Sequence, residues 1–278
     1  MTTTTTWADL FRPGDATNFF DPLPSKPFNP ESTAFDGVNA WWLAELSRLV
    51  YRDKDDRKQF LAQVGLEEVA FFTGGHDTQA FLVAPASKVW AALVFRGTST
   101  PADFLTDAEV RMDRCGDHGR AHCGFLRGID AVWTEAEKQL NELPPACRLF
   151  FAGHSLGAAL ATLAASRKKP ATTYTFGSPR VGNRSFIAGV DAAHTFRVVD
   201  HHDVVARVPL PLLFLFGYRH VGELHMLEHE RHRSVRGTAR KLLAMLQEPP
   251  DPLADHAPIN YVDRIGATIG FPPRTGRQ

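Results

Sequence analysis

Phe150-Phe151-Ala152-Gly153-His154-Ser155-Leu156-Gly157-Ala158-Ala159-Leu160 decides how the rest of this 278-residue chain is read. An apolar strand-like run, Cys147 to Ala152, passes into an Ala-rich helical one, Leu156 to Ala165, and Gly-x-Ser-x-Gly stands at the junction. That pattern fits a sharp strand-to-helix turn, which lifts a serine hydroxyl clear of the chain in a strained backbone conformation. The turn crowds the positions two before and two after the serine, and Gly153 and Gly157 fill them. The helix beyond offers unpaired N–H groups and a partial positive charge to a developing oxyanion. Five residues arise by chance easily enough; a strand before them and a helix after them do not. Ser155 is the candidate nucleophile.

Outward from this junction, periodicity divides the chain. Residues 1–36 are a Thr run followed by Pro-rich, aromatic-dotted sequence, either a disordered arm or a strap that packs Phe19, Phe20 and Phe28 on the remainder. Residues 37–278 read as one domain. Val38–Arg52 and Lys54–Val64 have helical spacing, and Glu68–Thr73 and Thr78–Ala84 form a β-hairpin around Gly74-Gly75-His76-Asp77. Lys88–Phe95 is a strand and Gly124–Leu143 a long amphipathic helix stopped by Pro144-Pro145. After the junction come a strand at Ala171–Phe176, a short helix at Asn183–Val190 and strands at His194–Val199 and Tyr218–Leu224. A helix is expected at Arg236–Gln247. Strands alternating with helices predict an α/β fold, a mainly parallel central sheet flanked by helices, with the hairpin at its N-terminal side.

Bulk properties remove several function classes. Lys+Arg and Asp+Glu both number 31, so no global field draws the chain to nucleic acid or anionic lipid. Three cysteines cannot all pair within one chain, which argues against a disulfide framework. The N-terminal MTTTTTWADLF has neither a cationic start nor a continuous apolar core; no signal peptide is read there, and cytoplasmic residence is the expectation. No run has the length of a transmembrane helix.

A serine nucleophile requires a base and a group that orients the base. On such a sheet the partners follow in the order Ser, acid, His, from loops at the carboxyl ends of later strands. Phe196-Arg197-Val198-Val199-Asp200-His201-His202-Asp203 offers two acids, and position alone leaves Asp200 and Asp203 open. Downstream histidines are His220, His225, His229, His232 and His256. His220 reads as a structural residue in mid-strand, His229 and His232 lie in a charged surface run, and His256 sits in the Pro-flanked stretch Asp251–Pro258. His225-Met226-Leu227-Glu228-His229 matches the H-x-x-E-H zinc pattern, but Gly222 and a strand-like run precede it where that pattern needs a helix, so no metal is expected. Oxyanion donors are read at the Leu156 N–H and, in the loop Phe95-Arg96-Gly97-Thr98, at Thr98.

These segments resemble the class 3 lipases. The resemblance rests on Leu46–Tyr51, Val94–Thr98, His122–Phe125, Gly153–Gly157, Phe176–Asn183, Arg197 through Asp203 to Pro209, Tyr218–Glu223 and Asp255-His256, in family order over roughly residues 40–265. It implies an α/β-hydrolase fold and a serine carboxylic ester hydrolase, foremost a triacylglycerol lipase, acting without cofactor on ester or lipid substrates with transient contact at a lipid interface. It also implies Ser155 as nucleophile, Asp203 as acid, His256 as base, and Thr98 with Leu156 as oxyanion hole. One departure is Ala158, where the family carries a further glycine.

The resemblance places a lid just after the oxyanion loop, here Pro101–Asp107 with Phe104 and Leu105 as its apolar face. Pro209–Phe216, which includes Leu212, Leu213 and Phe214, is wholly apolar and reads as an acyl-chain pocket wall, a lipid-docking loop or a buried strand. Phospholipase A1 and short-chain or aryl esterase activities are the nearest alternatives. A non-catalytic lipase-like interaction module is the alternative of another kind.

Overall fold

The computed structural model describes residues 5–98, 111–116, 119–208, 217–228, 249 and 251–274. Seven strands form its main sheet: β1 (Leu66–Thr73), β2 (Gln79–Pro85), β3 (Trp90–Phe95), β6 (Arg148–His154), β7 (Thr172–Phe176), β8 (Thr195–Asp200) and β9 (Glu223–Leu227), side by side in that order. β1, β2 and β3 pair antiparallel, and every pair from β3 to β9 is parallel. The hairpin turn between β1 and β2 uses positive φ at His76 and Asp77, residues near the tolerant end for that conformation. A separate two-stranded ladder, β4 (Met112–Arg114) with β5 (Arg120–His122), leads into the long helix.

Parallel strands covered on both faces carry apolar residues at successive positions, and Leu149–Ala152 of β6 shows it: successive residues serve opposite layers. Phe150 and Ala152 join Val94, Tyr174, Phe196 and Val198 on one face, under α2 (Gly37–Leu49) and α8 (Pro258–Thr268). Phe151 joins Leu82 and Leu93 on the other, under α4 (Cys123–Asn141) and α5 (Leu156–Arg167). Asp36 caps α2 by accepting from the Val38 and Asn39 N–H groups.

Phe19, Phe20 and Phe28 are buried in the first of these layers, with Phe28 stacked on Trp90 at 4.1 Å. The segment before α2 also supplies α1 (Trp7–Phe11), capped by Thr6, and a cis bond at Asp21–Pro22. Its tie to the domain is polar as well. Buried Glu45 accepts from the Phe20 N–H (3.1 Å), pairs with Arg48 (3.0 Å) and meets Arg274 from the far end of the chain.

Two readings from sequence are corrected. The strand expected over Tyr218–Leu224 begins only at Glu223, because Gly222 at φ +88 turns the chain tightly against the Thr195 carbonyl and delays pairing. His220 therefore precedes the strand. The stretch after Asp251 is not a plain loop: a short helix α7 (Asp251–Ala254) and then α8 flank His256, with Pro258 at the first turn of α8, where its missing N–H costs nothing. Arg236–Gln247 lies outside the described residues.

Candidate active site

Ser155 stands between β6 and α5 at φ 58, ψ −126, a left-handed conformation for a residue with a Cβ. Its own N–H donates to the Phe176 carbonyl on β7 (2.9 Å), which fixes the turn to the sheet. A Cβ on Gly157 would collide with the Phe95 carbonyl, so the loop leaving β3 packs directly on the first turn of α5. The same loop passes the elbow at Gly97, where a Cβ would come 2.7 Å from the His154 carbonyl oxygen and 3.4 Å from the Ser155 Cβ, and half-buried Thr98 follows it in the chain. Tyr51 supports the same loop from α2's end: its hydroxyl meets the Gly97 backbone, and the Arg96 guanidinium lies 5.2 Å from its ring centre. Burial pushes the Tyr51 phenol well up, against the opposing pull of Arg96, so it stays protonated.

On the far side of the sheet's carboxyl edge, His256 Nδ1 lies 2.8 Å from Asp203 Oδ2. The tautomer follows from that contact: Nδ1 carries the proton and donates it, leaving Nε2 as a bare lone pair. Asp203 is held at both oxygens. Oδ1 accepts from the Val205 (2.7 Å) and Ala206 (3.3 Å) N–H groups of its own loop, and Oδ2 accepts from the Tyr261 hydroxyl (2.5 Å). Tyr261 in turn accepts from the Asp200 N–H at 3.2 Å. Burial, then the Asp203 charge, drive the Tyr261 phenol far above its ordinary value, so it is a fixed donor. Gly177, at φ +58, closes this corner; a Cβ there would come within 2.6 Å of Asp203 Oδ2 and 3.0 Å of His256 Nδ1.

His154 links the two halves. Its Nε2 lies 2.8 Å from the His256 carbonyl, and the two imidazoles are 4.5 Å apart at their centres. Burial above all, then the neighbouring His256, holds His154 well below the usual imidazole range, so it is neutral and Nε2–H is the donor. Ser155, Asp203 and His256 are each 1% exposed or less. Ser155 Oγ and His256 Nε2 are both buried and make no hydrogen bond among the described residues.

The second acid has a different partner. Asp200, fully buried at the end of β8, pairs with Arg264 of α8, which also binds Asp255 at 2.9 Å. His220 lies under the Asp203 loop, near the Ala206 backbone, and burial with Arg197 and Arg180 depresses it to about 3. His225 stacks on Phe35 at 3.6 Å from strand β9, not from the helix a zinc pattern requires. Phe104, Leu105, Leu212, Leu213, Phe214, His229 and His232 lie outside the described residues. Tyr51, His154 and Tyr261 are polar contributors that sequence reading passed over. The H in Gly-His-Ser was visible, but nothing in one sequence says that its ring faces a loop a hundred residues later.

A family model described as Lipase (class 3) matches residues 92–213. A secreted mono- and diacylglycerol lipase A from Penicillium cyclopium is 29% identical over 60% of this chain and 57% of its own length. Phospholipase A1-Igamma1 of Arabidopsis thaliana is 30% identical over 56% of this chain and 42% of its own. Among solved structures, the Rhizomucor miehei triacylglyceride lipase superposes with a TM-score of 0.52 at 26% identity, covering 60% of this chain and 68% of that one. The chain spans about half the length of the curated relatives it matches. With its α/β-hydrolase core and its serine elbow, the chain is similar to the class 3 lipases, and the family match falls on residues 92–213, which hold β3, the elbow and the Asp203 loop.

Proposed function

We propose that this chain hydrolyses carboxylic esters of fatty acids, with triacylglycerol the foremost substrate class, through an acyl-serine intermediate. His256 Nε2 takes the Ser155 Oγ proton as Oγ bonds to the ester carbonyl carbon, and the carbonyl oxygen becomes an oxyanion facing the Leu156 and Thr98 donors. The imidazolium then returns that proton to the departing alcohol oxygen as the carbon–oxygen bond breaks. Water, deprotonated by the same nitrogen, then attacks the acyl carbon, and the imidazolium returns the proton to Ser155 Oγ as the acyl–oxygen bond breaks and the fatty acid leaves. Asp203 sets the His256 tautomer and stabilises the charge it acquires.

The observation that carries this reading is the Asp203–His256 contact at 2.8 Å, which leaves Nε2 unbonded in the same buried corner as the Ser155 elbow. A phospholipid substrate is the second reading, supported by the similarity to the plant phospholipase A1. The relatives do not support the cytoplasmic expectation: the Penicillium protein is named as secreted. Among the described residues, no helix is long and apolar enough to cross a membrane.

Fatty-acid release from emulsified triolein, diolein, phosphatidylcholine and a short p-nitrophenyl ester, with Ser155→Ala as control, tests the proposal. Triolein or diolein turnover lost in the variant is the expected result. Preference for phosphatidylcholine selects the second reading, and equal release by the variant removes both.

A further inference from the structure

The N-terminal segment is held in two different ways. From Asn18 onward it is anchored firmly. Asn18 Oδ1 accepts from Arg48 Nη2 (2.8 Å), its carbonyl accepts from Arg274, and Phe19 and Phe20 lie in a main core layer. Before that point the attachment is slighter. Leu10 of α1 is 2% exposed, yet it belongs to neither main layer; it forms a small cluster with Ala257 and Ile259, against which Trp7 and Leu253 pack. Thr5 Oγ1 accepts from Asn260 Nδ2 (3.0 Å). The partners of α1 are therefore the residues on either side of His256. At the other end, a Cβ on Gly14 would come 2.8 Å from the Tyr51 carbonyl oxygen, and Arg52 Nη1 donates to the Gly14 carbonyl (2.5 Å). Tyr51 is the residue whose hydroxyl holds the loop at Gly97. Residues 5–15 thus touch both walls of the catalytic corner, the support of the Gly97 loop and the turn that carries the base.

The base does not need this bridge to be aimed. The His256 N–H donates to the Leu253 carbonyl (3.1 Å), its carbonyl accepts from His154 Nε2 (2.8 Å) and its Nδ1 donates to Asp203 (2.8 Å). What residues 5–15 add is a restraint between the two walls. Ser155 is 1% exposed and His256 0%, so an ester enters only when the walls part. A contact made by one small apolar cluster and a few polar bonds belongs to the least stable part of a fold and opens first.

In water that opening exposes Leu10, Ala257 and Ile259, which favours the closed arrangement. A lipid surface removes the penalty, because Trp7 and Leu10, three residues apart, share one face of α1 and enter lipid together. Asp9 and Asp15 against Arg12 leave residues 5–15 with a net charge of −1, so the surface that suits them carries no net negative charge. We propose that residues 5–15 are a clasp that holds the serine site shut in water, and that a lipid surface without net charge releases it by taking up Trp7 and Leu10. The clasp deepens the ester-hydrolase reading and rests on it for what the opening admits.

The full chain serves for the test, with vesicles of ether-linked phosphatidylcholine, which present no carboxylic ester to cleave. Hydrogen exchange read by mass spectrometry follows residues 253–262 whatever the reaction. Exchange there should rise by about tenfold when vesicles are added, and should already be fast without them in Leu10→Ser. Vesicles containing ether-linked phosphatidylglycerol should have a weaker effect; a stronger one overturns the choice of surface. On p-nitrophenyl butyrate without vesicles, Leu10→Ser should exceed the parent by about fivefold or more, and vesicles should raise the parent but add little to the variant. Leu10→Met, which keeps the volume, should stay within about twofold of the parent. Thr5→Val removes the Asn260 bond, should give a smaller rise in the same direction, and keeps the test decisive should Leu10→Ser fold poorly. Exchange in the parent that vesicles leave unchanged overturns the clasp. So does a parent that hydrolyses the ester while both variants loosen the turn without speeding turnover. Exchange that responds as expected in a chain that cleaves no ester removes the hydrolase reading and supports the clasp.

Discussion

At the residue scale, the two candidate acids are separated by what touches them. Asp203 faces an imidazole and Asp200 faces a guanidinium, three positions apart in sequence. Asp203→Asn should therefore lower kcat by about three to four orders of magnitude, since it leaves the imidazole in the wrong tautomer. Asp200→Asn should act on stability and leave kcat within about tenfold. Steady-state kinetics on a soluble ester, beside a urea unfolding curve, separates the two outcomes; the reverse pattern would mean that the acid is misassigned. Tyr261 gives a finer case. It donates to the same Asp203 oxygen that accepts from His256, so it draws off part of the negative charge available to the imidazolium. In Tyr261→Phe that oxygen serves His256 alone, the imidazolium is held more tightly, and the acidic limb of the kcat/KM profile moves to higher pH. A fall in rate of about tenfold fits one hydrogen bond to a charged group. A tyrosine that only filled space would lower the rate with the limb unmoved. Only part of this was legible from one sequence. Position alone left Asp203 and Asp200 open and the family resemblance pointed to Asp203, but Tyr261 could not be noticed until α8 put it five residues after the base.

The elements explain why so much else could be read. β6 is apolar from Leu149 to Ala152 because both its faces are covered, and α5 follows the elbow immediately, so strand, turn and helix were all visible around Ser155. Helix α4 has a strong apolar stripe and a Pro-Pro stop, and its expected bounds differ from Cys123–Asn141 by a residue or two. The failures have physical causes. A positive φ at Gly222 postpones β9, and Pro258, a helix opener, was read as loop punctuation. Helix α8 also pins the base: Arg264 binds both Asp200 and Asp255, the residue before His256. Arg264→Ala takes an ion-pair partner from a fully buried carboxylate and should cost about 3 kcal/mol, the low end for such pairs because Arg264 is a fifth exposed. The urea midpoint reads this directly, and an unchanged midpoint would contradict it. His154 supplies a pH dependence. Its folded-state pKa is depressed, so below about 6.5 the unfolded chain binds a proton that the folded chain refuses. Stability should fall as pH drops through that point, by about 1.4 kcal/mol per unit from this group. His154→Asn should flatten the slope between pH 6.5 and 5; an unchanged slope would mean that the imidazole is charged in the folded state.

For the whole molecule, the opening question about residues 1–36 has a partial structural reply. Phe20 is 1% exposed within the core layer under α2, and its N–H is anchored on buried Glu45. Phe20→Ala should destabilise by about 3–5 kcal/mol, the range for truncating a buried aromatic; a loss below about 1 kcal/mol would show the segment to be loosely attached. A composition rich in threonine and proline could not distinguish a strap from a free arm, because the distinction rests on three aromatics finding a surface made by residues far along the chain. The catalytic corner raises the remaining issue of access. Ser155 is 1% exposed, so an ester reaches it only after a local opening. Labelling is the direct probe of the central claim, since it asks whether Ser155 is an activated nucleophile. A fluorophosphonate, added with a dispersed lipid and followed by peptide mass spectrometry, should modify the parent protein at Ser155 alone, fail with Ser155→Ala and be slowed at least a hundredfold in His256→Ala. Labelling of Ser155→Ala at the parent's rate, or no labelling of the parent under any lipid condition, would contradict the account.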